Sequence, residues 1–521
     1  MRGAVAAGHT LTAEAGAEVL REGGNAVDAC IAAACMSWVT ESTLTSPGGG
    51  GFLLVRESST GRVRLHDFFI AIPGHGLARP PGEMEAVDVE FDRATSQVFR
   101  IGAASVGVPG AIAGLEAAYR AYATLPWRRL LEPAIAVARE GHVLNKPQAY
   151  LHAILDVILR RTEAGREIFG PEGVRLVAGD RLVMPDLAET LELLADEGAA
   201  AFYGGELGRL VSEHVQAEGG SLTLEDLAEY RVISRRPIRT QFDGHEFVSN
   251  PPPSSGGILI AYALQLMSRL GPGGPPGSAE AISQLAEVMR EQTRARGGSF
   301  KSDLHRGGLA NRLLAGVDAA AERIEARETG RTEPAGAPGT THISAVDAAG
   351  NAASLTASTG SGAGVIVPGT GIHLNNMLGE YDLNPVGPGN QGAAVGRRLT
   401  SMMAPSLVLD GGRPRLVVGS AGSVRLRGAI LQIVLNAVIH GMDVRKAIEQ
   451  PRVHLEEPRL HCEGGSDPAE LDRLEQWGYE LVRWRRRNLY FGGAAAVELL
   501  EDGTLAAAGD PRRAGHGVVV V

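Results

Sequence analysis

One junction in the chain combines the features that amide chemistry needs. Residues 329–339 are rich in Pro and Gly, show no apolar periodicity and end in glycine, and Thr340 follows at the start of a strand-like segment. A threonine at a chain terminus can act as a nucleophile with its own α-amine as general base, because such an amine titrates at about 7.7–8.0. The junction therefore fits self-cleavage before Thr340, with an ordinary strand residue as the alternative interpretation. In self-cleavage, the Thr340 hydroxyl attacks the Gly339 carbonyl carbon, and water then hydrolyses the resulting ester.

Other catalytic arrangements have no counterpart in the sequence. It contains no G-x-S-x-G elbow, no H-E-x-x-H zinc motif and no P-loop. The glycine run at 48–51 is followed by neither a lysine nor a helix cap, which favours a close-packing loop over a phosphate site. Three cysteines, Cys30, Cys35 and Cys462, show no disulfide or zinc spacing and are interpreted as buried small hydrophobes. No metal or organic cofactor is expected.

The elements that position the junction change in character along the chain. The first two-thirds are predicted to be mainly helical, and after residue 340 the pattern becomes strand-like, with an apolar helix over about 426–440. The predicted helices cover roughly 11–35, 108–122, 128–140, 186–200, 223–229, 279–295 and 308–328. The predicted hairpins cover 341–358, 406–419 and 494–508. Strands, a helix and further strands indicate an α+β architecture with sheets between helices.

Charge and hydropathy exclude several classes of partner. The net charge is −10, which argues against binding to nucleic acid or to anionic membranes. No apolar run approaches the roughly 18 residues of a membrane helix, and the first residues do not read as a signal peptide. The sequence predicts a cytoplasmic protein that acts on a small molecule.

Several segments, in chain order, resemble the γ-glutamyltransferase family. The most specific is residues 340–356, which resembles the start of the family's small subunit. The other matching segments are residues 2–6, 22–28, 48–52, 107–114, 374–376, 401–405, 419–423 and 509–512. The similarity extends from residue 2 to about residue 513, so the chain is identified as similar to this family over nearly its whole length.

The resemblance implies a fold and a processing event. It implies an N-terminal-nucleophile hydrolase with a four-layer αββα sandwich. It also implies autocatalytic cleavage of a zymogen into a mainly helical large fragment, 1–339, and a small catalytic fragment, 340–521. The large fragment ends in the flexible linker 329–339 and contributes strands to the sandwich. The two fragments would stay together as a heterodimer in one intertwined unit, and further dimerisation is possible.

The resemblance also implies catalytic roles. Thr340 falls on the family's nucleophile, and Ser358 falls where the family has a hydroxyl that supports the terminal amine and the nucleophile. Gly422 and Ser423 fall on the loop whose backbone N–H groups form the oxyanion hole.

The substrate-binding positions match less well. Glu380 falls on an acidic ligand of the substrate amine, and Thr400 and Ser401 fall on a hydroxyl pair that contacts the substrate carboxylate. Phe69 stands where the family has its glutamyl-binding arginine, which removes a bidentate carboxylate partner. Met377 replaces a polar or acidic ligand of the substrate amine.

Three further departures concern the surroundings of the site. Gly360 replaces an asparagine that helps to enclose it. Only nineteen residues lie between positions 380 and 400, which suggests a member without a lid loop and with a site open to water. Arg397 and Arg398 are candidates to replace the missing arginine, with solvated surface cations as the alternative interpretation.

The predicted function is that of a threonine-nucleophile amidohydrolase and acyltransferase that acts through an acyl-enzyme. The family's substrates are γ-glutamyl amides such as glutathione, and hydrolysis is expected to dominate over transpeptidation. Two alternatives stay open: an acylase or amidase for an amide that is not γ-glutamyl, and an unprocessed, non-enzymatic binding protein with the family fold.

Overall fold

Two β-sheets lie face to face between layers of helices in the computed structural model, which describes residues 2–92, 95–326, 339–381 and 394–521. The helices are α1 Thr10–Arg21, α2 Ala26–Thr40, α3 Ala111–Tyr122, α4 Trp127–Glu140, α5 Lys146–Ile154, α6 Asp156–Leu159, α7 Glu163–Phe169, α8 Pro185–Glu197, α9 Ala200–Tyr203, α10 Glu206–Ala217, α11 Leu224–Glu229, α12 Gly256–Leu270, α13 Ala279–Arg294, α14 Phe300–Asp303, α15 Leu309–Leu314, α16 Val317–Glu325, α17 Arg425–Val434, α18 Val444–Glu449 and α19 Pro468–Gln476.

The strands are numbered in the same way. They are β1 Gly3–Ala7, β2 Gly50–Arg56, β3 Val63–Phe68, β4 Glu85–Asp92, β5 Thr95–Ile101, β6 His142–Val143, β7 Arg181–Leu182, β8 Ile233–Arg235, β9 Ile238–Phe242, β10 His245–Ser249, β11 Thr341–Asp347, β12 Ala352–Ser358, β13 Ile366–Val367, β14 Ile372–His373, β15 Ser406–Asp410, β16 Arg413–Ala421, β17 Val453–Glu456, β18 Arg459–Cys462, β19 Glu480–Arg483, β20 Gly493–Leu499, β21 Leu505–Gly509 and β22 His516–Val520.

The first central sheet mixes strands from both sides of the Gly339–Thr340 junction. Its order is β22-β1-β11-β12-β2-β3-β8, so β11 and β12, which follow the junction, lie between β1 and β2, which precede it. In the β11–β12 hairpin, Thr341 lies opposite Ala357. The strand that begins beside Thr340 is therefore held by hydrogen bonds on both edges.

The second sheet and the helices complete the sandwich. Its order is β21-β20-β16-β15-β10-β9, and β11 and β12 pack against β16 and β20. On the outer faces, α1, α2 and α3 cover the first sheet, and α12 and α17 cover the second. This is the predicted four-layer αββα arrangement, and the fold class is confirmed. None of the described helices has both the length and the apolar character needed to cross a bilayer.

The helices and strands predicted from the sequence agree best with the structure where the apolar residues recur periodically. The hairpin that follows the junction is confirmed as β11 and β12, and the apolar helix near 426–440 is α17, continued by a π-helical turn at Leu435–Ile439. The three cysteines are buried and free. The linker up to residue 338 lies outside the described residues, as does the segment 382–393, on which the prediction of a missing lid depends.

Candidate active site

Thr340 lies buried directly before β11, with its hydroxyl against the peptide bond that it is predicted to cleave. The hydroxyl donates a hydrogen bond to the Gly339 carbonyl oxygen. On the other side, Arg513 Nη1 donates to the Thr340 carbonyl oxygen at 3.0 Å. The residue is therefore held through its backbone, while its nucleophile faces the preceding carbonyl group.

Ser358, the last residue of β12, reaches the same carbonyl group. Its hydroxyl donates to the Gly339 carbonyl oxygen at 2.8 Å and accepts a hydrogen bond from the Gly360 N–H at 2.8 Å. Because negative charge develops on this oxygen when Thr340 attacks the carbonyl carbon, a donor that is already in place lowers the barrier. The geometry is consistent with the supporting role that the resemblance implies.

Replacing Ser358 by alanine should slow self-cleavage by about 10- to 100-fold, because one donor to the developing oxyanion is lost. The measurement is the rate at which the fragment beginning at Thr340 appears after cell-free synthesis, followed by intact mass. Ser358→Thr keeps the hydroxyl and serves as the matched variant. Cleavage of the alanine variant at the wild-type rate would show that Ser358 is only a sheet residue.

The predicted oxyanion loop connects β16 to α17. Gly422 has φ of 118° and Ser423 has φ of 53°, so a non-glycine residue occupies the left-handed region here. Such backbone strain is most often kept where a turn has a functional task. The loop lies just before Arg425, the first residue of the buried helix α17, where the positive end of the helix dipole favours a nearby anion.

A cavity joins most of the predicted site residues. Its lining consists of Phe69, Gly339, Thr340, Ser358, Met377, Glu380, Ser401, Met402, Met403, Ser423 and Leu426. Gly422 and Thr400 are not in this lining, although each is next in sequence to a residue that is. A larger cavity of about 470 Å³ lies between α13 and α17 and contains none of these residues.

The cavity has an apolar wall. Phe69 is buried, and its ring stacks on that of Phe52 with 5.4 Å between centroids. Met377 and Leu426 extend the same apolar surface. Residues 402–403 are buried methionines and also line the cavity. The wall thus offers apolar contact where an arginine would offer two N–H donors.

Glu380 is the only charged residue in the described lining. It lies close to Gly360: a Cβ on Gly360 would come within 2.7 Å of Glu380 Oε1 and 2.1 Å of Asn376 Oδ1. The φ of Gly360 is also +71°. A side chain at this position, such as the family's asparagine, would displace Glu380. The present position of that carboxylate therefore depends on glycine at residue 360.

Neither candidate cation replaces the missing arginine. Arg397 is exposed. Arg398 is buried, so its interpretation as a solvated surface cation is wrong: its guanidinium lies 4.3 Å from the centre of the Tyr230 ring, and its Nε lies 3.4 Å from Asp67 Oδ1. Asp67 also accepts a hydrogen bond from the Phe69 N–H at 3.0 Å. The Asp67 carboxylate therefore holds the Arg398 guanidinium away from the cavity and fixes the backbone of Phe69.

Three further residues near the nucleophile have clear roles in the structure. His342 hydrogen-bonds to Thr356 at 2.7 Å, and burial lowers the pKa of His342 to about 3, so the ring is a neutral, structural part of the sheet. Arg513 and Glu41, both buried close to residues 340 and 341, were missed by the sequence reasoning. The one available signal was a lone acidic residue at the end of an apolar helix.

Comparisons with known proteins agree over the whole chain. A family model described as Gamma-glutamyltranspeptidase matches residues 12–520. A glutathione hydrolase proenzyme of Escherichia coli (strain K12) is 32% identical over 98% of this chain and 90% of the relative. An acylase ACY 1 proenzyme of Pseudomonas sp. (strain SE83) is 34% identical over 100% and 94%, respectively. The crystal structure of cephalosporin acylase from Bacillus halodurans has a TM-score of 0.82 and 25% identity, over 99% of this chain and 95% of that chain.

Proposed function

The chain belongs to the γ-glutamyltranspeptidase family of hydrolases and transferases, and we propose that it is a self-cleaving amidohydrolase for acyl amides with an apolar acyl group. The observation that carries the choice of substrate is the lining of the cavity around Thr340. Phe69 occupies the arginine position, and none of the described lining residues is an Arg, Lys or His.

The chemistry follows from the groups around Thr340. After cleavage, the free α-amine of Thr340 takes the proton from its own hydroxyl, and the hydroxyl oxygen attacks the carbonyl carbon of the substrate. Negative charge on the carbonyl oxygen is stabilised by the backbone of Gly422 and Ser423. The amine of the substrate leaves with a proton, and water then hydrolyses the acyl ester on Thr340.

The charge of the substrate decides between the candidate acyl groups. A γ-glutamyl substrate carries a free α-carboxylate, and placing it beside Phe69 and the methionines would remove its water without supplying a cation. An apolar acyl chain gains from the same contact, by about 0.8 kcal/mol for each buried methylene. The wall therefore favours acyl chains without a carboxylate.

γ-Glutamyl amides such as glutathione remain the second candidate. Glu380 and Ser401 line the cavity and offer partners for an amine and a carboxylate, and the Escherichia coli relative is a glutathione hydrolase. Preference for water over an amine as acceptor stays a prediction from the short segment before position 400. The cytoplasmic location also stays a prediction.

Wild-type protein should hydrolyse hexanoyl-p-nitroanilide with a kcat/KM at least about 10-fold higher than γ-glutamyl-p-nitroanilide. Phe69→Arg should move this ratio about 10- to 100-fold towards the γ-glutamyl substrate, because an arginine restores a bidentate partner for its carboxylate. Phe69→Leu keeps the wall apolar and is the matched control. If the wild type prefers the γ-glutamyl anilide, the apolar-acyl assignment is wrong and the second candidate takes its place.

A further inference from the structure

A buried carboxylate lies behind the strand that carries the nucleophile. Glu41 is the C-cap residue that follows α2, a helix in which every residue is buried. Its Oε2 accepts a hydrogen bond from the Thr341 hydroxyl at 2.6 Å, and its Oε1 accepts one from Thr12 at 3.1 Å. A carboxylate at the C-terminal end of a buried helix is disfavoured both by desolvation and by the helix dipole. Burial raises the pKa of Glu41, whereas the two hydrogen bonds and the charge of Arg513 lower it, so ionisation of Glu41 depends on these partners.

Arg513 supplies that charge from the opposite end of the chain. It follows β21 in a short 3-10 turn, is buried, and holds the Thr340 carbonyl oxygen through Nη1. Its Nε and Nη2 have no hydrogen-bond partner among the described residues. Glu41 and Arg513 line one cavity, and no direct ion pair joins them. The other lining residues are 8, 9, 40, 42–44, 148, 151 and 152. Two unpaired donors of Arg513 and the carboxylate of Glu41 therefore belong to the lining of one small cavity.

The other groups that face this cavity do not change its charge near neutral pH. Burial lowers the pKa of His9 and of His152 to about 4, and that of the adjacent His142 to about 4, so these rings are neutral. The pKa of Arg513 is lowered to about 10, mainly by burial, so it stays charged. Further charged groups that act on Arg513 are Arg425, Arg452 and Asp510, and Asp510 is itself ion-paired to Arg452 and Arg512.

We infer that Glu41 is a positioning residue for the nucleophile, and that Glu41 and Arg513 act as a pair of opposite charges that contact the consecutive residues 341 and 340. Arg513 fixes residue 340 through its carbonyl oxygen, and Glu41 fixes residue 341 through its hydroxyl. In the cleaved enzyme the charge of Glu41 offsets that of Arg513 at the α-amine of Thr340, the general base. The inference rests on the proposed role of Thr340.

The sign of the effect follows from electrostatics. A positive charge close to the amine disfavours the ammonium form and lowers its pKa, and a negative charge raises it. Glu41→Gln removes the negative charge but keeps an amide that can hydrogen-bond to both threonines, so the amine pKa should fall. Arg513→Gln removes the positive charge and keeps an N–H donor for Thr340, so the amine pKa should rise.

The test is the pH profile of kcat/KM for cleaved protein between pH 5.5 and 9, with whichever of the two anilides the wild type hydrolyses faster. The acid limb should move down by about 0.5–1 pH unit in Glu41→Gln and up by a similar amount in Arg513→Gln. Glu14→Gln, the same change on an exposed part of α1, is the control and should leave the profile unmoved.

The outcomes separate the inference from the function on which it rests. If the wild type releases no fragment beginning at Thr340, the proposed function fails. Normal cleavage with an unmoved acid limb in Glu41→Gln overturns the inference alone. If Glu41→Gln does not fold, Arg513→Gln decides: an acid limb that stays in place or moves down overturns the inference, and one that moves up supports it.

Discussion

Replacing Thr340 by alanine should leave the chain uncut and lower its amide hydrolysis by about 10⁴-fold or more, since the attacking oxygen is removed from both reactions. In the structure this hydroxyl lies against the Gly339 carbonyl group, which also accepts a hydrogen bond from Ser358. Ser358 also contacts the Gly339 carbonyl group, but cleavage of the 339–340 bond frees the α-amine of Thr340 and of no other hydroxyl residue in the described lining. The alanine side chain fits the same space, so the fold should persist.

The measurements are a denaturing gel, intact mass and sequencing of any new N-terminus. Wild-type protein should give fragments 1–339 and 340–521, and Thr340→Ser should give the same fragments, because serine keeps the nucleophile. The alanine variant should have a far-UV circular dichroism spectrum close to that of the wild-type protein, which would show that the fold persists. Cleavage of the alanine variant at the same bond would refute the mechanism, and a wild-type chain that stays whole would favour a non-enzymatic binding protein.

Gly339→Ala, which adds a methyl group at residue 339, should slow self-cleavage by at least about 10³-fold relative to the wild type. A Cβ on Gly339 would lie 1.5 Å from the carbonyl oxygen of Gly360, a distance that no rotamer change relieves because the obstacle is backbone. Relief requires residue 339 to move, which takes its carbonyl carbon away from the Thr340 hydroxyl. Displacements of about 1 Å at a reacting centre already cost roughly 100-fold in rate.

Gly204→Ala is the matched control. The atom nearest to a Cβ added at Gly204 is the Ala200 carbonyl oxygen, 4.0 Å away, and the φ of −155° suits any residue. Gly339→Ala should accumulate as intact chain with a melting temperature close to that of Thr340→Ala, while Gly204→Ala is cut like the wild type. Cleavage of Gly339→Ala at the wild-type rate would mean that residue 339 does not lie against the Gly360 carbonyl group when the bond is cut.

The sequence predicts the strand that follows the junction better than the contacts around it, for a physical reason. A linker that ends in Gly339 and a strand that begins after Thr340 are neighbours along the chain, so composition and periodicity reveal both. The apolar helix α12 shows no such pattern: it starts at paired glycines after a proline run, and its residues 256–264 are all buried, which hides the 3.6-residue period. Its existence depends on being buried against the second sheet.

The rest of the site depends on contacts between distant parts of the chain. Glu41, Thr341 and Arg513 lie hundreds of residues apart in sequence and meet only because β11 lies next to β1, close to the end of α2. Whether Arg398 faces the cavity or Asp67 is equally invisible to spacing, because it is decided by a carboxylate on another strand. Resemblance to a family identified positions in the site but not these partners.

The order β1-β11-β12-β2 has a consequence for the lifetime of the molecule after the cut. Before cleavage, the strands of this sheet belong to one polymer, and their association is a first-order event within a single chain. After cleavage between Gly339 and Thr340, β1 of the large product lies between β22 and β11 of the small product, and β12 of the small product pairs with β2 of the large one. Neither can leave without breaking the hydrogen bonds of the central sheet. A cleaved heterodimer would thus be retained by its unfolding barrier, and once unfolded it would have to reassemble in a second-order reaction that slows with dilution.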